Sequence, residues 1–78
     1  MMPYLSEQKH GFMVIYLSGD IDLSTSPEAR THMLDCLRNT PRLLVDLSQV
    51  SYIDSSGVAI LVEAYQLSKL QGSEFALV

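Results

Sequence analysis

Apolar and polar positions along the chain fall into short blocks separated by turn residues. Tyr4–Lys9 and Phe12–Leu17 lie on either side of His10-Gly11 and read as two extended segments joined by a hairpin. The first is the more polar and predicts an edge strand. Phe12-Met13-Val14-Ile15-Tyr16-Leu17 is apolar without alternation, the pattern of a strand covered on both faces. Ser18 to Ser24 supplies turn residues. Thr25 or Ser26 then caps a helix with Pro27 in its first turn, and Thr25 with Glu28 three residues on has the spacing of a capping box. That helix collects Ala29, Met33, Cys36 and Leu37 on one stripe, and Asn39-Thr40-Pro41 stops it. Leu43–Leu47 predicts a further buried strand, Ser48–Tyr52 a turn, Val58–Leu70 a second helix ended by Gln71-Gly72-Ser73, and Glu74–Val78 a last strand.

The second helix is apolar on two sides. At about 100° per residue, Val58, Leu61, Val62 and Tyr65 share one side, read as facing the sheet, while Ile60, Ala64 and Leu67 project oppositely. The outward set either lies beneath another segment or forms a docking surface for a partner. Gly57, with no Cβ, would let another backbone approach the first turn.

Strand, hairpin, strand, helix, strand, helix, strand implies two crossovers with parallel pairing, hence an α/β fold with a single mixed sheet and helices packed against it. Seventy-eight residues allow one domain, which at this size buries only about 60 to 65% of its unfolded surface. A parallel strand at Phe75–Val78 wants a covering helix, so residues 1–78 read as a domain cut short after its fourth strand.

Composition narrows the function. Five Lys and Arg against nine Asp and Glu give a net charge of −4 with no basic stripe, which removes the electrostatic footprint of nucleic-acid binding. No apolar run approaches the ~20 residues of a membrane span, and no basic segment followed by an apolar stretch marks a secretion signal. A single cysteine excludes an internal disulfide and fits a reducing cytoplasm, and Cys36 reads as a small buried hydrophobe. Glycine-rich phosphate loops and Cys/His ligand clusters are missing, and His10 and His32, far apart in sequence, read as surface or boundary residues. A non-enzyme without cofactor or metal is expected.

Candidate chemistry concentrates in Asp54-Ser55-Ser56-Gly57, between an apolar strand and an apolar helix. A helix start offers free N–H groups and the positive end of the macrodipole. Two readings follow: a simple N-cap from Asp54, Ser55 or Ser56, or a serine that is phosphorylated, gaining about two negative charges at a prominent corner.

Two motifs in this order resemble the STAS domain of bacterial anti-sigma-factor antagonists. Gly19-Asp20-Ile21-Asp22-Leu23-Ser24-Thr25-Ser26-Pro27-Glu28 is similar to that family's G-E-L-D segment, with Asp20 where Glu is commoner. Leu44–Leu47 matches its central strand, and Tyr52-Ile53-Asp54-Ser55-Ser56-Gly57-Val58 resembles its D-S-S-G corner. The resemblance implies a phosphorylation-switched binding module that sequesters an anti-sigma factor, itself a serine-protein kinase, and so frees a sigma factor without touching DNA. It places the phosphoacceptor at Ser55, with Asp22 as the acidic residue beside the switch. Asp22, Asp54, Ser56, Gly57, Val58, Ile60 and Leu67 are then the expected partner-binding set. STAS domains also serve as small subunits docked on the ATPase of bacterial phospholipid-transport ABC complexes, and that alternative needs no phosphorylation. Either way the expected partner is a protein, with no direct membrane insertion.

Overall fold

A computed structural model describes residues 4–78. The elements are β1 (Leu5–Lys9), β2 (Phe12–Ile21), α1 (Ser26–Asn39), β3 (Arg42–Ile53), α2 (Ser55–Gln71) and β4 (Glu74–Leu77). The strands form one sheet in the order β1-β2-β3-β4, with β1 antiparallel to β2 and the other two pairs parallel. This is the mixed α/β sheet that the strand and helix pattern implied. The β1–β2 connection is a two-residue turn in which both His10 (φ 54°) and Gly11 (φ 83°) are left-handed, the geometry that matches the twist of a hairpin.

Both crossovers step in the same direction across the sheet, so right-handed connections leave both helices on one face. Ile15, Leu17, Leu43 and Val45 point into that layer, against Ala29, Met33 and Leu37 of α1 and Ile60, Leu61 and Ala64 of α2. The expectation that β2 is covered on both faces is corrected by this arrangement. Val14 is buried, but outside the main cluster, and its neighbours Phe12 and Tyr16 on the opposite face are only half-covered.

The turns expected at Ser18–Ser24 and Ser48–Tyr52 are instead largely strand, since β2 continues to Ile21 and β3 to Ile53. Gly19 (φ 72°) sits where the register slips, between two irregularities at Tyr16/Ser18 and Gly19/Asp20. Ladder pairing of Asp20 with Tyr52 and Ile21 with Ile53 holds these polar segments extended, because paired backbone outweighs their individual turn preference.

The two helices end differently, and only α2 is capped at both ends. The capping box at α1 does not form: Thr25 makes no side-chain cap bond, and its hydroxyl is drawn back into the preceding loop. α2 ends in a Schellman motif, where Gly72 is left-handed (φ 74°) and the N–H groups of Gly72 and Ser73 donate to Lys69 O and Ser68 O. His32, expected near the surface, is buried at 2% exposure. It lies beside the sheet-facing stripe of α1, under Tyr4.

Candidate functional site

The carboxyl ends of β2 and β3 converge on one corner of the sheet. The N–H of Asp54 donates to Ile21 O (3.2 Å), so the loop after β2 and the start of α2 are neighbours by backbone contact. In open α/β sheets this end is where sites form.

Asp54 settles how α2 begins. Its Oδ1 accepts from Ser56 N (2.9 Å) and Gly57 N (3.2 Å), two of the donors a helix start leaves free. Asp54 is therefore the N-cap, and neither serine hydroxyl is needed for that task. Ser55, the first helical residue, is exposed, while Ser56 is half-buried.

Across the corner, Asp22 organises the β2–α1 loop. Its Oδ1 accepts from Ser24 N (3.0 Å), Ser24 Oγ (2.8 Å) and Thr25 N (3.1 Å), and these bonds hold its carboxyl below the ordinary carboxylate value. The Thr25 hydroxyl adds a second tie, donating to Asp20 O (2.7 Å) and accepting from Asp22 N (2.9 Å). Segments 18–25 and 51–57 contribute Asp20, Asp22 and Asp54 and no Lys or Arg. The corner is thus acidic, preorganised by its own hydrogen bonds, and centred on a free hydroxyl.

Of the residues expected to bind a partner, Asp22, Asp54, Ser56 and Val58 gather here with Ser55, and two do not face outward. Gly57 is buried against the end of β2, so the backbone its missing Cβ admits is that of Ile21 and not a partner's. Ile60 is 7% exposed and packs in the core. Leu67, at 37% exposure, stands twelve residues beyond Ser55, about 18 Å along the helix, in a crevice with Leu34 and Leu37 of α1. It is no part of the corner.

Of the side of α2 read as inward, Leu61 is buried as expected and the other three residues are wet. Val58 (49% exposed), Val62 (48%) and Tyr65 (48%) follow Ser55 at i+3, i+7 and i+10, a single stripe that begins at the serine. α2 rests on two supports, the sheet below and α1 beside it, tied across by the Arg30–Glu63 ion pair (2.7 Å). Burial therefore follows Gly57, Ile60, Leu61, Ala64 and Ser68, and the helix pattern alone does not tell a side covered by a second helix from one left open. Between this stripe and β4 lies an apolar groove of about 520 Å³, floored by Leu61 and Phe75 and walled by Val58, Val62 and Leu77. Spacing from Ser55, rather than from the apolar blocks, would have found Val62.

No group of three or more His, Cys, Asp or Glu side chains suited to a metal occurs among the described residues, and no described helix is long and apolar enough to cross a membrane. Cys36 is half-buried and burial pushes its thiol up, away from reactivity.

The family model that matches is the STAS domain, over residues 4–78. The chain is 29% identical to the anti-sigma F factor antagonist of Paenibacillus polymyxa, covering 91% of this chain and 62% of that protein. It is 27% identical to the anti-sigma-B factor antagonist of Bacillus subtilis, covering 91% and 65%. It spans less than two thirds of the length of these curated relatives. Among solved structures, an anti-sigma factor antagonist from Mycobacterium paratuberculosis superposes with a TM-score of 0.85 at 32% identity, over 95% of this chain and 63% of that one. The unphosphorylated form of SpoIIAA, an anti-sigma factor antagonist, superposes with a TM-score of 0.76 at 18% identity, over 95% and 70%, a likeness of fold.

Proposed function

The chain belongs to the STAS domain family, and from that premise we propose that it is an anti-sigma-factor antagonist whose binding to an anti-sigma factor is switched off by phosphorylation of Ser55. The observation that carries this reading is the exposed hydroxyl of Ser55, at the first residue of a helix whose cap is supplied by a different side chain. An acceptor that also capped its helix would have to break or remake that bond when modified. Here Asp54 keeps the cap, so a kinase can take the hydroxyl and leave the cap as it is.

Several features support the switch. A phosphate adds about −1.5 to −2 charges beside Asp22 and Asp54, in a corner whose segments carry no Lys or Arg. Its own helix dipole accommodates it in the free protein. Covered by a partner, the same charges lose water without gaining counter-charges, and an unpaired buried charge of this kind costs a few kcal/mol, enough to lower affinity by a hundredfold or more. SpoIIAA, which shares the fold, exists in both unphosphorylated and phosphorylated forms. The curated relatives are named as anti-sigma factor antagonists, in line with a partner that is an anti-sigma factor. The apolar stripe Val58–Val62–Tyr65 supplies the adjoining area that such a partner would cover.

The test is to incubate the full-length protein with its host's anti-sigma kinase and ATP, map the phosphate, and measure binding before and after. Phosphate on Ser55 with loss of binding is the expected result, and Ser55→Asp should bind weakly while Ser55→Ala binds normally. Phosphate chiefly on Ser56, or undiminished binding of the Ser55-phosphorylated protein, would overturn the switch.

A further inference from the structure

His32 has an environment that neither the corner nor the core explains. It projects from the middle of α1, is 2% exposed, and neither Nδ1 nor Nε2 has a hydrogen-bond partner among the described residues. A buried imidazole normally finds at least one, since an unpaired buried polar atom costs about 1–3 kcal/mol. Its neighbour is the ring of Tyr4, edge-on at 6.1 Å between centroids and 72° between planes.

Tyr4 matters because of what it anchors. Every side chain of β1, Leu5 to Lys9, is exposed, whereas Tyr4 just before it is 7% exposed and belongs to the core cluster. The strand is thus held to the fold by its ladder with β2, by the Tyr16 hydroxyl donating to Glu7, and by one buried ring resting on His32. The charged and titratable groups around the pair do not supply a counter-ion. Asp35, one turn along α1, is bound to Arg38 at 2.9 Å and does not bond the imidazole. Glu28 and Asp22 lie toward Tyr4, where burial and these two carboxylates keep the phenol neutral by raising it above its ordinary value. Burial outweighs the attraction of Asp35 and holds His32 below the usual histidine range, so the native ring is neutral.

We propose that the His32–Tyr4 contact is an acid-operated latch, which keeps the start of β1 closed on α1 while the imidazole is neutral and opens it when the ring takes up a proton. A protonated ring in this site would be an imidazolium with two donors and no acceptor. The least costly relief is to move Tyr4 aside and admit water, because that breaks one aromatic contact at the sheet margin and leaves the β2–β3 centre intact. Opening at this margin frees an edge of β2, a surface on which strands of other chains can pair. The sign follows from linkage. The closed state binds the proton less readily than the open one, so closure is fully favoured above the ordinary histidine value and weakens as pH falls through it.

The full-length protein tests this directly. The ring signals of His32 are followed by NMR between about pH 8 and 5, together with amide hydrogen exchange. His32 should take up its proton at a pH below the ordinary histidine value. Opening of the ladder-bonded amide at the Leu5–Ser6 end of β1 should grow by up to about tenfold per pH unit over that range, after correction for intrinsic exchange, while Ile15 and Val45 stay protected. His32→Leu fills the space without a titrating group and should remove that pH dependence. His32 titrating at or above the ordinary histidine value, β1 and the sheet centre opening together, or pH dependence surviving in His32→Leu would each overturn the latch. If that variant does not fold, the first two measurements decide the matter on the unaltered protein.

Discussion

Gly57 lies so close to the end of β2 that a Cβ there would stand 2.8 Å from the carbonyl oxygen of Ile21 and 2.5 Å from Cγ1 of Ile53. The Ile21 contact is with backbone, which cannot swing aside as a side chain can. It fixes the distance between the β2–α1 loop and the first turn of α2, and hence the position of Ser55 relative to Asp22.

Gly57→Ala should therefore act through overpacking rather than through helix propensity, which alanine improves. We expect a loss of about 1–3 kcal/mol in denaturant unfolding, with α2 displaced from Ile21. Binding to the anti-sigma partner should fall with it. A variant as stable as the parent would show that the corner relaxes freely.

Asp54 separates capping from charge. Asp54→Ala removes both bonds to the helix start and should cost about 0.5–2 kcal/mol, whereas Asp54→Asn keeps an acceptor oxygen and should stay within a few tenths of the parent. Asn nevertheless removes one negative charge beside Ser55. The Asn variant should bind more tightly in its Ser55-phosphorylated form than the phosphorylated parent does, a comparison that isothermal calorimetry makes directly.

How much of this was legible in the sequence depends on the scale at which each feature is set. The hairpin at His10-Gly11, the glycine cap at Gly72 and the serine corner were readable because each rests on local backbone chemistry. The long β2 and β3 were not, since Ser18–Ile21 and Ser48–Ile53 are strand only by pairing with one another, a contact invisible along the chain. The orientation of α2 failed for a related reason. Ile60 and Leu61 are both apolar, and only the presence of α1 beside the helix decides that Ile60 is dry and Val62 wet. His32 was misread because burial of an unpaired imidazole runs against its chemistry, and no pattern signals it.

Paired substitutions on α2 test that orientation. Ile60→Ala should destabilise by about 2–5 kcal/mol, since it empties a core position, and Val62→Ser should change stability by no more than about 0.5 kcal/mol. Partner affinity should show the converse at Val62, falling with no matching loss in melting temperature. Equal destabilisation at both positions would place Val62 in contact with protein that covers the groove beside β4.

Acid should loosen the other half of the corner through Asp22. Its carboxylate accepts bonds from the hydroxyls and N–H groups of Ser24 and Thr25 and is held below the ordinary value near 4. A lowered value means that the folded loop binds the proton less readily than the unfolded chain. The stability it lends is complete above about pH 4 and is lost as pH falls through the lowered native value. Asp22→Asn keeps an acceptor in the same place but cannot titrate. Amide exchange at Ser24 and Thr25, followed from about pH 5 to 3, should quicken in the parent beyond the intrinsic rate and not in the variant. Because the same loop borders Ser55, the variant also asks whether the negative charge or the loop geometry matters to the partner. Unchanged affinity in Asp22→Asn would assign the role to geometry, and reduced affinity would assign it to charge.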